Sequence, residues 1–243
     1  MSDSKSLPTG TMRNGGHRYR IGLLNPNANL STTALMTGLA EPICPRGVIV
    51  EGHTMERGPT VIMDETALNA SVEQVVAKGI DLAAAGVDGL IVSAFGDPGL
   101  LTLRDRVDVP VAGIAEGGMA EAAAGGRMFS IVTTTPRLEA AILSLVRRYG
   151  HSGNLASLRI TRGDVPAIMS DPVRIRAALV SLARECEADG AEALLIGGGP
   201  LAPAAPAVAE AIALPVIDPV GAGTRQVLRM LGLKEAAEHR DAK

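Results

Sequence analysis

Residues 86–100 read GVDGLIVSAFGDPGL, and the architecture can be inferred from them. Its apolar run is too short for a helix and does not alternate with polar residues, so it reads as a strand covered on both faces, as in parallel sheets flanked by helices. Gly96, Asp97, Pro98 and Gly99 then turn the chain towards a helix. The same order returns in GAEALLIGGGPLAP, which opens at Gly190, 190 − 86 = 104 residues after Gly86. Each unit is followed by an X-Pro-Val strand, in VDVPVAGIAE and IALPVIDPVG respectively. Any two βαβ units share part of this pattern. The matching order of acidic residue, strand, Gly/Pro turn, helix and Pro-Val strand favours two related α/β halves, and a cleft between halves is a common ligand site.

Along the whole chain, buried strands are expected at RIGLL (20–24), VIVE (48–51), GLIVSA (89–94), VAGI (111–114), FSIVT (129–133), ALLIG (193–197) and PVID (215–218). Helical spacing of apolar residues covers 69–85, 136–149, 171–189 and 221–231, with Ser170 or Asp171 before Pro172 as a helix start. Strands alternating with helices predict α/β architecture with two pseudo-symmetric, doubly wound parallel-sheet domains and the active site in the cleft between them. The expected division is 19–112 with 216–236 as the first domain and 113–215 as the second. Residues 1–18 are expected to be a disordered tail and 237–243 a second tail.

Composition narrows the partners. The chain has 243 residues, 47% of them hydrophobic, and a formal charge of −3, with Lys and Arg scattered rather than clustered. That excludes a nucleic-acid surface and favours a small-molecule substrate. With no Trp, two Tyr and two Phe, stacking platforms are scarce. No apolar run reaches about 18 residues, so no membrane span is expected. Cys44 and Cys186 match neither metal-ligand nor disulfide spacing; the expectation is a reducing, cytoplasmic setting and no metal.

Four strand ends run into turns and then helices: NPNANLSTT (25–33), SAFGDPG (93–99), TTTPR (133–137) and GGGPLAP (197–203). A helix start presents unpaired N–H groups, so each corner either holds an oxyanion or is simply capped. Asn25 either gives its amide to a carboxylate or bridges the turn at Pro26 and Asn27. Thr133, Thr134 and Thr135 offer three hydroxyls where a cap needs one. Gly197, Gly198 and Gly199 either let backbone approach a ligand or serve close helix–sheet packing.

Taken together, LLNPNAN, VSAFGDPGL, VPVAGIAE, SIVTTT, ALLIGGGP and LPVIDPVGAG resemble the aspartate/glutamate/hydantoin racemase superfamily over residues 19–233, most closely its hydantoin-racemase branch. The resemblance implies two α/β domains, no cofactor, a homo-oligomer, and substrate contacts at Asn25, Ser93, Ala94, Phe95, Thr133, Thr134, Gly198 and Gly199. It also implies two cysteines, one per half, that work on opposite faces of a stereocentre. Those positions fall here on Ala94 and Gly198.

Neither residue can carry a proton, and each general acid–base group is worth roughly 100-fold to 10,000-fold. Candidates to replace them are Asp97, otherwise an N-cap, His53 after the second strand, and Glu116, otherwise a buried partner for a backbone amide. Cys44 and Cys186 read as structural or incidental, and His17, His151 and His239 as solvent-facing. The expected function is cofactor-independent chemistry on a small carboxylate or cyclic amide, of lyase, decarboxylase or hydrolase type. The alternatives are a racemase or epimerase using other bases, and a binding protein without catalysis.

Overall fold

The computed structural model describes residues 18–236; the expected tails, with His17 and His239, lie outside the described residues apart from Arg18. Eight strands form two parallel four-stranded sheets. The first holds β1 (Tyr19–Asn25), β2 (Val48–Thr54), β3 (Gly89–Val92) and β4 (Val111–Gly113) in the order β2-β1-β3-β4. The second holds β5 (Phe129–Thr133), β6 (Leu155–Ile160), β7 (Ala193–Ile196) and β8 (Val216–Ile217) in the order β6-β5-β7-β8. Adding four to each strand number converts one sheet into the other. The units opening at Gly86 and Gly190 therefore contribute equivalent strands, β3 with β4 and β7 with β8.

Burial explains which strands the sequence reveals. β3 and β7 are buried at every position, and aliphatic side chains fill both of their faces. The edge strand β6, LASLRI, was not expected. It pairs only with β5 and is half-buried throughout, so it carries Ser157 and Arg159 in place of an apolar run. The strand expected at 111–114 ends at Gly113, because Ile114 starts the helix Ile114–Ala122. Asp171 caps the helix Pro172–Ala188, which settles the choice between Ser170 and Asp171.

The chain crosses between halves twice. The helix Ile114–Ala122 leaves β4 and packs against both β4 and β7 before the chain enters the second sheet. After β8, Asp218 caps the helix Pro219–Met230, which returns to pack on β3 and β4. Val216 and Ile217 thus pair within the second sheet, whereas the expected boundary placed them in the first domain. The two crossing helices meet through small residues: a Cβ at Gly117 would lie 3.0 Å from the Ala222 carbonyl oxygen. Among the described residues no helix is long and apolar enough to cross a membrane.

Candidate active site

All strands being parallel, the corners that follow β1, β3, β5 and β7 gather at the carboxyl ends of the two sheets, where α/β folds hold ligands. They close around a cavity of about 60 Å³. Its polar lining is Asn27, Ser93, Thr133, Thr134 and Thr135, and its backbone-rich lining is Gly197, Gly198 and Gly199. Val61, Ile62, Leu68, Phe95, Leu138, Met169 and Leu201 supply apolar wall, and Ala94 and Pro200 complete it. Both halves contribute. A larger open hollow of about 490 Å³ lies along β6 and the helix Pro172–Ala188 and contains none of the expected site residues.

Seven of the eight expected substrate contacts line this cavity, namely Ser93, Ala94, Phe95, Thr133, Thr134, Gly198 and Gly199. Asn25 does not. Its fully buried amide donates to Asn27 Oδ1 (2.9 Å), the Asn29 carbonyl (3.2 Å) and Thr33 Oγ1 (2.9 Å), and its oxygen accepts from the Asn27 N–H at 3.2 Å. Asn25 is thus the brace of the NPNAN turn, and Asn27 is the amide at the cavity. The resemblance points to Asn25, the last residue of β1, and leaves Asn27 as a turn residue; which of the two amides reaches the cavity depends on how the turn folds.

The hydroxyls have assigned partners. Thr133 Oγ1 donates to the Gly197 carbonyl at 2.8 Å, joining the ends of β5 and β7. Ser93 and Thr134 donate to the sulfurs of Met36 and Met169, each at 3.1 Å. The backbone N–H groups of Ala94, Phe95, Thr134 and Gly198 donate to no other protein group among the described residues. Unpaired N–H groups lining a cavity suit a carboxylate or carbonyl oxygen. No side chain in the lining titrates in the ordinary pH range.

The three acid–base candidates lie elsewhere. Asp97 is buried, with its carboxylate accepting from the backbone N–H groups of Ala115 (3.0 Å) and Glu116 (2.8 Å) and from Tyr149 Oη (2.8 Å). Burial pushes its pKa up to about 7 against the pull of these donors. Asp97 is a cap, as the alternative reading had it, but of the helix Ile114–Ala122 rather than of the helix that follows it. Glu116 is held by Arg104, at 2.9 and 2.5 Å, and by Gln226 Nε2 at 2.7 Å. The Arg104 guanidinium and Gln226 outweigh the burial that would raise its pKa and keep it below the ordinary carboxylate range. His53 sits near Gly22 and Leu82, on the sheet face that carries the helix Val72–Ala84. Burial lowers its pKa, with Lys78 adding to the effect, and its buried Nε2 has no hydrogen-bond partner.

Cys44 and Cys186 are both remote from the lining; burial raises both thiols, that of Cys44 to about 11. His151 is not simply solvent-facing, since its ring meets Phe129 edge-on at 6.0 Å. Among the described residues no group of three or more His, Cys, Asp or Glu side chains could hold a metal ion.

These features define a class: a two-half parallel α/β protein with a small cavity, lined from both halves, at the carboxyl ends of its sheets. The family model for Asp/Glu/Hydantoin racemase matches residues 21–227, and the chain belongs to that family. It is 30% identical over 222 residues to a hydantoin racemase of Paenarthrobacter aurescens, covering 88% of this chain and 92% of that protein. Its structure resembles an allantoin racemase from Klebsiella pneumoniae, with a TM-score of 0.79, 30% identity and 92% of each chain covered. The maleate isomerase of Pseudomonas putida S16 shares the fold, with a TM-score of 0.70 and 17% identity over 88% of this chain and 93% of that one.

Proposed function

We propose that this chain is a cofactor-independent enzyme acting on a small carboxylate or cyclic amide by oxyanion stabilisation, with lyase, decarboxylase or hydrolase chemistry in place of two-thiol racemisation. The observation that carries the reading is a cavity whose lining includes residues with unclaimed backbone N–H groups and no titratable side chain. The N–H groups of Ala94, Phe95, Thr134 and Gly198 would hold the substrate oxygen on which negative charge grows, as an enolate or a tetrahedral oxyanion. Such stabilisation is commonly the largest catalytic contribution. Asn27 would orient the substrate, and the proton would come from water or the substrate. Ala94 and Gly198 leave free the two places where thiols are expected from the family resemblance.

A second reading is favoured by relatives at about 30% identity named hydantoin racemase and allantoin racemase: racemisation of a cyclic amide with groups other than cysteine. One experiment separates the two. The protein is incubated in D₂O with 5-substituted hydantoins, allantoin and 2-substituted malonates, and the α-proton, optical rotation and product mass are followed. Loss of carbon dioxide or ring opening supports the proposal. Deuterium exchange coupled to racemisation overturns it in favour of the second reading, and saturable binding without turnover overturns it in favour of a binding protein.

A further inference from the structure

The buried carboxylate of Asp97 is not part of the cavity, yet it sits where three parts of the molecule meet. The helix Ile114–Ala122, which joins the halves, has Gly113 at its N-cap and no side chain there to cap it. Asp97 supplies that cap from a different turn, through the N–H groups of Ala115 and Glu116. A Cβ at position 113 would lie 2.4 Å from Asp97 Cγ, so glycine leaves the space that the foreign cap fills. The third donor, Tyr149, follows the helix Glu139–Arg148 of the second half. On its other side Asp97 belongs to the cavity turn: its own N–H and that of Gly96 both donate to the Ala94 carbonyl, at 3.0 and 2.8 Å. Asp97 also holds a left-handed φ of +44°, which non-glycine residues adopt only when surroundings impose it.

We propose that Asp97 is a positioning residue, whose carboxylate ties the Ala94–Phe95 wall of the cavity to the joining helix and, through Tyr149, to the second half. Movement between the halves is thereby carried to the wall that holds the substrate oxygen. The ligand part of this inference rests on the function proposed above; the tie itself does not.

The test separates tying from capping. Asp97→Gly keeps the left-handed turn accessible and removes the carboxylate. Adding Gly113→Ser to it supplies a cap within the joining helix, in the space vacated, but no tie to the turn. Thermal midpoint, amide exchange and affinity for 5-isopropylhydantoin are measured for each variant and for Tyr149→Phe. Asp97→Gly is expected to lower the midpoint, to weaken binding of the hydantoin and to cost about tenfold in the protection of the Gly96 amide and of the Ala115 and Glu116 amides. The double variant is expected to recover the midpoint and the Ala115 and Glu116 amides while Gly96 stays unprotected and affinity stays low. Tyr149→Phe is expected to reduce Gly96 protection several-fold with the helix amides intact. Recovery of Gly96 protection in the double variant, or an unchanged Gly96 in Tyr149→Phe, would overturn the proposal. Failure of the wild-type protein to bind the hydantoin would count against the function proposed, while the exchange results would still decide the tie.

Discussion

Substituting Gly113 tests the geometry at the junction most sharply. In Gly113→Ala the added methyl carbon would stand 2.4, 2.5 and 2.6 Å from Cγ, Oδ2 and Oδ1 of the buried Asp97 carboxylate, closer than real contacts allow. The backbone itself accepts alanine, since φ at Gly113 is −112°, so the cost comes from displacing Asp97. Overpacking costs about 1–3 kcal/mol, and a hydrogen bond to a charged group contributes about 1.5–3 kcal/mol. Losing one such bond with the overpacking gives a destabilisation of roughly 2.5–6 kcal/mol. For a chain of this size that lowers the melting midpoint by roughly 5–24 °C. The assay is thermal and urea unfolding of a double-mutant cycle with Asp97→Gly. Without the carboxyl group the alanine meets none of those three atoms, so the effects should be non-additive by at least about 2 kcal/mol. A midpoint within 2 °C of wild type for Gly113→Ala, or additive effects in the cycle, would refute the reasoning.

Ala94→Cys combined with Gly198→Cys should produce α-proton exchange and racemisation of hydantoins that neither single variant shows. Leu201 stands 3.2 Å from a Cβ at 198, a contact a small side-chain shift relieves; no gain in the double variant would count against these positions facing one stereocentre. Asn25→Ala should cost roughly 2–3 kcal/mol of stability through its turn bonds; Asn27→Ala, which removes the acceptor of the Asn25 amide and of the Asn29 N–H, should cost about 1–3 kcal/mol and in addition weaken ligand binding. Unfolding curves and calorimetric titration would check both. For pH, the folded pKa of Asp97 lies near 7, above its ordinary 3.8, so the native state keeps a proton that the unfolded state loses between those values. Its contribution to stability is full below the lower value, falls as pH rises to the upper one, and is level beyond it. Asp97→Asn should lack that slope, and parallel stability–pH curves for the two proteins would contradict the assignment.

The layers of this fold were legible because burial on two faces leaves a trace in composition. GLIV and ALLI are apolar at every position since helices cover both sides of their sheets, and the Pro-Val strands after them mark the repeat. β6 left no such trace, because an edge strand needs only one paired side and tolerates Arg159, whose guanidinium finds Asp189 at 2.5 Å. The cavity was equally legible at the level of corners, because a strand end followed by glycine, serine or threonine and then a helix is visible locally.

Patterns a few residues long suffice for the two-half parallel architecture, for the family, and for placing Ser93, Ala94, Thr133 and Gly198 around one cavity. What Asn25, Asp97 and Glu116 do depends on contacts that exist only once the chain is folded. A polar side chain takes its role from its hydrogen-bond partners. Those of Asp97 come from 18, 19 and 52 residues away, and Glu116 takes Gln226 from 110 residues away. Such partners are chosen by the packing of helices that leave no local mark on the chain, so a carboxylate that reads as a cap for the next helix proves to cap the helix that joins the two halves.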